Sequence, residues 1–331
     1  MKIQILVWLV ACLLIVHNSI SQSYVPLLND SKMIVQPTIA PETYAFPLSD
    51  VKLLAGPFNE AMQRDVEYLL QLNPDRLLHR FRLFAGLTPK APIYTGWESE
   101  TLSGHTLGHY LSACAMYYAA TGDVRFKEKT DYVVDELSLC QSARKTGYVG
   151  SIPREDSVWN EVSKGNIRSA GFDLNGLWSP WYTLHKVFSG LLDAYLYANN
   201  EKAKEVVIKF ADWADHITAG LNDEQLQKML ACEFGGMNEA LINVYAITGN
   251  KKYLDVADRF YHKAIMDPLA EQKDQLSGKH SNTQIPKIIG AARRYELTST
   301  GRDKTISEFF WNTVVNKHTY VMGGNSEYEY L

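Results

Sequence analysis

Cys232 to Ala264 reads CEFGGMNEALINVYAITGNKKYLDVADRFYHKA, and this stretch decides the fold. After its polar start, apolar residues recur at spacings of three and four (Leu241, Val244 and Tyr245), so they share one helix face. Gly249 then breaks the helix, because glycine tolerates the left-handed conformation of a helix C-cap. A second helix is predicted from Lys251, and its apolar stripe consists of Tyr253, Leu254, Ala257 and Phe260. The stretch therefore predicts a helical hairpin.

The same unit occurs three more times along the chain. One copy surrounds Tyr118, with a Thr-Gly-Asp turn, and another surrounds Tyr197, where Asn199-Asn200 replaces the glycine turn. A further copy surrounds Tyr295. The later copies follow one another at a period of about fifty residues, which is typical of repeat architectures. Stacked hairpins form an open solenoid or a closed toroid, and the pattern alone allows both. The predicted fold class is all-α.

The N-terminus resembles an export signal. Met1-Lys2 precedes an apolar run too short to span a bilayer, and small residues follow at positions 19–21, so residues 1–21 are interpreted as a signal peptide. A lipoprotein-type Cys12 is the alternative, with a lipid anchor as the only membrane contact. Residues 22–50 are predicted to be an extended lead and residues 51–331 a partial helical barrel. The expected location is the periplasm or the cell surface.

Composition narrows the classes of partner and the cysteine chemistry. The formal net charge of −4 provides no basic surface, so nucleic acid and anionic membranes are poor partners. The 46% of hydrophobic residues suffice for a large core. Signal cleavage would leave Cys114, Cys140 and Cys232, an odd number at wide spacing. They are predicted to be buried thiols rather than a disulfide framework.

Polar and aromatic residues gather just before the first helix of each hairpin. If these helices form an inner layer, the clusters lie on one rim as a concave polar site with aromatic walls, the usual form of a small-ligand pocket. The predicted substrate-binding residues are His105, His109, Trp178, Trp181, His185, Glu233, Asn238, Glu239, His280, Asn282 and Gln284. The irregular stretch from Thr146 to Pro180 is predicted to be a functional loop because of its length. Asp75 is a candidate N-cap.

Five of the predicted substrate-binding residues also have other interpretations. His105 and His109 are one helical turn apart, which suits a metal, substrate hydroxyls, or local hydrogen bonds at a helix start. Trp181 suits a sugar ring or the core. Glu233 and Glu239 could be the two carboxylates of glycoside hydrolysis, whereas Glu239 could also stabilise its helix N-terminus.

Five strings together resemble the β-L-arabinofuranosidases of glycoside hydrolase families 127 and 146. They are GHTLGHYLSA, SPWYTLHKVFSGLLDAY, EFGGMNEALINVYAITGNKKYLDVADRF, HSNTQIPKIIGAARRYE and YVMGGNSEYEYL. The resemblance implies an (α/α)6 barrel followed by β-domains. It also implies a retaining mechanism, with a cysteine nucleophile on a zinc ion held by three cysteines and one glutamate. A separate glutamate is the acid/base, and Glu329 in the string YEYL matches that position.

The chain departs from the family pattern in ways that bear on activity. Four hairpins and the N-terminal helices do not complete six, so the toroid is expected to be incomplete. The family's Glu-Thr-Cys motif is missing and no cysteine here matches the ligands, so zinc is expected in the full-length family but not in this chain. We therefore expect a truncated, inactive part of an enzyme acting on plant arabinan or pectin side chains. Alternatives are an unsaturated-uronyl hydrolase, a sugar epimerase, or a non-catalytic carbohydrate-binding remnant.

Overall fold

The computed structural model describes residues 31–41 and 43–331, so the predicted signal peptide and Cys12 lie outside the described residues. None of the described helices is long and apolar enough to cross a membrane. Within this part of the chain the α-helices are α1 (Pro57–Gln71), α2 (Pro74–Leu77), α3 (His79–Phe84), α4 (His105–Thr121), α5 (Val124–Arg144), α6 (Glu155–Ser163), α7 (Pro180–Ala198), α8 (Glu201–Thr218), α9 (Asp223–Leu230), α10 (Met237–Thr248), α11 (Lys252–Asp258), α12 (Lys263–Ala270), α13 (Ser281–Thr298) and α14 (Gly301–Lys317). Short 3-10 helices span Leu48–Asp50 and Gly96–Ser99.

The helices form two layers of hairpins. The pairs are α4/α5, α7/α8, α10/α11 and α13/α14, which are the four hairpins expected from the sequence. In the inner layer α4 packs on α7, α7 on α10, and α10 on α13. In the outer layer α5 packs on α8, and α8 packs on α11. This succession is the architecture of a toroid of hairpins, and it confirms the all-α prediction.

The hairpin turns form where the sequence places them. Gly249 ends α10 with φ of 69°, the left-handed conformation that favours glycine. Asn199 takes the same role after α7 with φ of 53°, and the Asn200 side chain then accepts a hydrogen bond from the Ala203 N–H to cap α8. The asparagine pair thus replaces the glycine turn by supplying one C-cap and one N-cap.

Two helix ends differ from the sequence prediction. The second helix of the central hairpin ends at Asp258, so Phe260 reaches the core from the following turn. The Gln227 side chain stabilises this early helix end. It donates to the Tyr261 carbonyl at 2.9 Å and accepts from the Lys263 N–H at 2.8 Å. These contacts satisfy backbone groups that a continuous helix would pair internally.

The N-cap prediction for Asp75 is wrong. Helix α2 begins at Pro74, so Asp75 is its second residue, and the preceding Asn73 accepts a hydrogen bond from the Asp75 N–H at 2.9 Å. Proline is favoured at the first helical position because its missing N–H has no intrahelical partner there. Asparagine before proline therefore caps the helix.

The stretch from Thr146 to Pro180 is not irregular throughout, contrary to the prediction. It contains α6 and a small antiparallel sheet of β1 (Ser169–Ala170), β2 (Asp173–Leu174) and β3 (Leu177–Trp178), in the order β1-β2-β3. Strand β2 pairs with β3 through Asp173 opposite Trp178. The Glu155 carboxylate organises the turn before α6, because the Tyr148 hydroxyl and the Ile152 N–H both donate to it. Strands of two residues are too short to leave a periodic signal in the sequence.

The described part of the lead lies across the inner layer. The N–H groups of Ile34 and Val35 donate to the Ala246 carbonyl near the end of α10, at 2.9 and 3.0 Å. The Thr38 N–H donates to the Glu296 carbonyl near the end of α13 at 2.9 Å. The lead therefore covers the C-terminal ends of these inner helices, and a cavity of about 540 Å³ lies between it and the inner layer.

Candidate active site

The N-terminal ends of α4, α7, α10 and α13 lie together, and we call this edge the N-terminal rim. At α4, His105 Nδ1 lies 2.8 Å from the Leu102 carbonyl and 3.3 Å from Glu98 Oε1. The buried Glu98 carboxylate accepts from the N–H groups of Gly104 and Thr106 at 3.0 and 3.2 Å. Burial acts to raise the pKa of Glu98, but hydrogen bonds from His105, Thr106 and Gly104 hold it below its ordinary value. Glu98 thus caps α4 from the preceding loop.

Glu98→Ala is expected to lower the free energy of unfolding by about 1–3 kcal/mol. The substitution leaves the N–H groups of Gly104 and Thr106 without their carboxylate acceptor at the start of α4. Urea unfolding followed by circular dichroism measures the change. Glu100→Ala, an exposed neighbour, is the matched control and is expected to change little. Equal stability of the two variants would contradict the capping role.

Aromatic rings surround the two histidines of α4. The His105 and His109 rings are 5.9 Å apart between centroids, and the Tyr182 ring of α7 lies 6.4 Å from His105. The Trp97 ring lies 6.0 Å from His105. Burial, with Lys186 and His105 nearby, lowers the pKa of His109 to about 4. Both histidines therefore belong to one aromatic-walled edge, as the sequence predicts.

His185 joins α7 to the start of α10. Its Nδ1 accepts from the Gly236 N–H at 3.1 Å, and its Nε2 lies 3.2 Å from Ser189 Oγ. Since Nδ1 accepts, the proton of the neutral ring is on Nε2 and is donated to Ser189. Burial, with the positive charge of Lys186 and the neighbouring His109, holds the pKa of His185 well below its ordinary value.

Glu233 lies on the same rim, buried beside the start of α7. Its Oε2 is 3.4 Å from the Ser179 hydroxyl. Burial raises the pKa of Glu233, and the nearby His280, Lys287 and Lys186 act against that rise. A carboxyl group with a raised pKa among cations and aromatic rings can donate a proton or bind a hydroxyl group.

Glu239 occupies a different place from Glu233. It lines the 540 Å³ cavity together with Asp193 and Arg293. Burial raises the pKa of Glu239, while Arg293 opposes this rise. Lys186 interacts electrostatically with both Glu233 and Glu239, so the two carboxylates face a common cation. Glu233 thus lies at the N-terminal rim, and Glu239, in the first turn of α10 near His185, also lines the cavity.

The start of α13 completes the rim. His280 caps this helix, since its Nδ1 accepts from the Thr283 N–H at 3.2 Å. The chain's last residues pair with this turn, and the Ser281 N–H donates to the Glu329 carbonyl at 2.8 Å. This pairing brings the Glu329 carboxylate, 79% exposed, to 3.5 Å from His280 Nε2. The Phe172 ring lies 5.3 Å from His280. The predicted acid/base residue therefore lies at the rim.

The other predicted residues of the site are distributed between the rim, the core and solvent. Asn238 is buried at the start of α10, and its Nδ2 donates to the Lys287 carbonyl at 2.9 Å. Gln284 is buried and donates to the His280 carbonyl at 3.2 Å. Asn282 is exposed in the first turn of α13. Trp178 is partly exposed on β3.

Trp181 lies in the core. It is 1% exposed, and its ring packs against Trp159 at 4.6 Å and Phe260 at 5.1 Å between centroids. Its Nε1–H donates to Met229 Sδ at 3.2 Å. Of the two interpretations of Trp181, sugar contact or core packing, the structure shows core packing, and neither face of the ring is free for a sugar.

Sequence reasoning missed Lys287, which is 2% exposed. Its Nζ lies 3.0 Å from His262 Nδ1 and 2.9 Å from Gln284 Oε1, and 4.8 Å from the Phe234 ring centroid. Burial lowers the pKa of Lys287 to about 7, although Glu233 opposes the shift. The string IPKII gave no signal for an inward lysine, because adjacent residues of a helix face different sides and Ile289 is itself exposed. Glu98, Trp97, Phe172 and Tyr182 were also missed.

The cysteines present do not fit the zinc cluster that the family implies. Cys114, Cys140 and Cys232 are free and buried, and burial raises the pKa of each thiol to about 12. Among the residues that the structure describes, no group of three or more His, Cys, Asp or Glu is placed to hold a metal ion. A zinc-bound thiolate needs a cluster of ligands and a deprotonated sulfur, and these thiols provide neither.

Comparison with known proteins agrees with this architecture. The structure is similar to Ara127N, a GH127 β-L-arabinofuranosidase from Geobacillus stearothermophilus T6, with a TM-score of 0.55 and 14% identity over 81% of this chain and 44% of that chain. It is also similar to the GH127 β-arabinofuranosidase BT3674, with a TM-score of 0.54 and 14% identity over 89% of this chain and 46% of that chain. The chain thus spans less than half the length of these two enzymes. No curated protein sequence matches it.

The two solved structures establish the fold, and a family model establishes the family. The model of the β-L-arabinofuranosidase GH127 catalytic domain matches residues 50–330, most of the chain. This match includes every hairpin and all of the N-terminal rim. The chain belongs to the GH127 β-L-arabinofuranosidase catalytic-domain family.

Proposed function

We propose that this chain is part of a β-L-arabinofuranosidase and that its N-terminal rim binds an arabinofuranosyl residue. The observation that carries the proposal is the gathering of His105, His109, Glu233 and His280 at one edge of the inner layer. The histidine rings and a carboxyl group supply donors and acceptors to sugar hydroxyls. The Tyr182 ring beside His105 and the Phe172 ring beside His280 exclude water from the apolar faces of the sugar.

The substrate proposed for the enzyme is an arabinofuranosyl linkage in plant arabinan or pectin side chains. Glu329 is the proposed acid/base, since it matches the family position and lies beside His280. The nucleophile and the zinc ligands are not among the buried thiols of this chain, so we expect the chain alone to be inactive. General acid assistance contributes only about 10²- to 10⁴-fold, far below the rate enhancement of an enzyme. The proposed location is outside the cytoplasm, because residues 1–21 are interpreted as a signal peptide.

The purified chain is expected to bind L-arabinose but not to release 4-nitrophenol from 4-nitrophenyl β-L-arabinofuranoside. Isothermal titration calorimetry measures binding, absorbance measures release, and elemental analysis measures zinc. His109→Ala and Glu233→Gln are each expected to weaken binding about tenfold or more, because the first removes an imidazole from the pocket and the second replaces a carboxyl oxygen with an NH2 donor.

His216→Ala, a substitution of an exposed histidine on α8, is the matched control and is expected to leave binding unchanged. Failure of the wild-type chain to bind L-arabinose would overturn the proposed function of the rim. Turnover that is abolished by Cys232→Ser would show that the nucleophile lies in this chain and that the proposed inactivity is wrong.

A further inference from the structure

Trp97 is a large apolar side chain held out in solvent by a well-anchored segment. It is 59% exposed, although its neighbour Glu98 is buried. The Arg80 guanidinium donates to the carbonyls of Glu98, Ser99 and Glu100, so one side chain ties the backbone directly after Trp97. The backbone that follows Trp97 is therefore fixed twice, by Arg80 and by the Glu98 cap of α4. An exposed tryptophan on a fixed backbone is pre-organised for a ligand.

A second tryptophan from a different element meets Trp97. Trp178, 37% exposed at the end of β3, has its ring 5.9 Å from that of Trp97, at an interplanar angle of 78°. The adjacent Ser179 donates its backbone N–H to the Phe172 carbonyl at 2.7 Å, so the sheet holds this tryptophan in place. Two elements far apart in sequence, the 3-10 helix of Trp97 and strand β3 of Trp178, thus present one aromatic surface with two nearly perpendicular rings.

This aromatic surface continues directly from the sugar pocket. The Trp97 ring lies 6.0 Å from the ring of His105, which borders the pocket proposed above. A ring bound against Trp97 and Trp178 would therefore be adjacent to a sugar held by His105 and Glu233. That separation suits the next residue of the same oligosaccharide rather than an independent ligand.

We propose that Trp97 and Trp178 form a second sugar-binding subsite, which takes the ring next to the arabinofuranosyl residue in an oligosaccharide. The inference rests on the proposed function of the rim. A sugar ring has a face of C–H groups that packs on an indole, while its hydroxyls stay in water at the open side. The two indoles offer apolar faces to a neighbouring sugar ring and no charged group for an ion pair.

The test compares a monosaccharide with a disaccharide on the same protein. Calorimetry measures the Kd of L-arabinose and of a β-linked L-arabinofuranosyl disaccharide for the wild-type chain, Trp97→Ala and Trp97→Phe. The disaccharide is expected to bind the wild-type chain about tenfold more tightly than L-arabinose, and Trp97→Ala is expected to remove most of this advantage. Trp97→Phe keeps an aromatic face and is expected to fall between them. L-arabinose itself should bind all three proteins about equally.

Trp311→Ala is the matched control, since Trp311 is also exposed (69%) but lies on α14. Like the wild-type chain, this variant is expected to bind the disaccharide about tenfold more tightly than L-arabinose. If L-arabinose binds but the disaccharide binds no more tightly, the subsite is refuted and the pocket stands. If Trp97→Ala weakens both sugars equally, Trp97 belongs to the pocket and the subsite is again refuted. If neither sugar binds the wild-type chain, the proposed function and the subsite fail together.

Discussion

Gly108→Ala is expected to lower the free energy of unfolding by about 3 kcal/mol or more, a large effect for one methyl group. The Cβ would lie 2.1 Å from the Lys186 carbonyl oxygen and 2.7 Å from the Val187 backbone N. These are backbone atoms of α7, so no side-chain rotation relieves the overlap. The contact is reciprocal, because a Cβ on Gly190 would lie 2.7 Å from the Gly108 carbonyl oxygen. Helices α4 and α7 therefore cross at a pair of glycines.

The same substitution should also weaken sugar binding. His105 lies three residues before Gly108 on α4, and His185 precedes Lys186 on α7. Separating the two helices moves these histidines apart at the rim, so we expect L-arabinose affinity to fall together with stability.

Urea unfolding measures the stability, and Gly301→Ala is the matched control. Gly301 begins α14, and a Cβ there meets no atom within 4 Å. Alanine is a better helix former than glycine, so the control should be neutral or slightly stabilising. An unchanged unfolding midpoint for Gly108→Ala would show that the two backbones are not in contact.

Local signals in the sequence were enough to predict the hairpins. The helix period and the turn residues Gly249 and Asn199 depend only on the chain nearby, and each turn formed as expected. The break after Asp258 could not be predicted, because Gln227 from another helix satisfies the backbone there. The glycine crossing was also hidden, since Gly108 lies in a string that the sequence presents as a polar cluster.

The site could be predicted only in outline. Chain order indicates which residues precede each inner helix, and the structure brings His105, His185 and His280 to one edge. The periodic pattern does not show whether a helix-start residue faces the pocket or the core, so Trp181 could not be placed. Burial of Lys287 depends on His262, which is distant in sequence. A lysine in a helix is otherwise mostly solvated.

Two neutral histidines are expected to make the wild-type chain lose stability in acid relative to a variant that lacks them. Burial is the main cause for both, since it lowers the pKa of His262 to about 3 and holds that of His185 well below its ordinary value. Lys287 and Lys279 add to the shift at His262, and Lys186 and His109 add to it at His185. The cause is the unfavourable transfer of a charged imidazole from water into the protein.

The direction in which stability changes with pH follows from which state, folded or unfolded, binds more protons. Below about pH 6.5 an unfolded histidine takes up a proton that the folded one does not, so acid favours the unfolded state. The stability present above pH 6.5 is lost as the pH falls towards the folded-state pKa. Each histidine contributes a slope of about 1.4 kcal/mol per pH unit. Buried carboxyls have the opposite sign, since burial raises the pKa of Asp193 to about 6, and they partly mask this slope in the whole protein.

The double substitution His185→Gln and His262→Gln separates the two contributions. Glutamine can accept from the Gly236 N–H and from Lys287 Nζ but does not titrate, and every carboxyl group remains. The difference in unfolding free energy, wild type minus variant, is expected to fall by about 3 kcal/mol per pH unit between pH 6 and pH 4. Urea unfolding at half-unit steps of pH measures this difference. A difference that is independent of pH would mean that both histidines take up protons in the folded protein as readily as in the unfolded chain, and their burial as neutral rings would then be wrong.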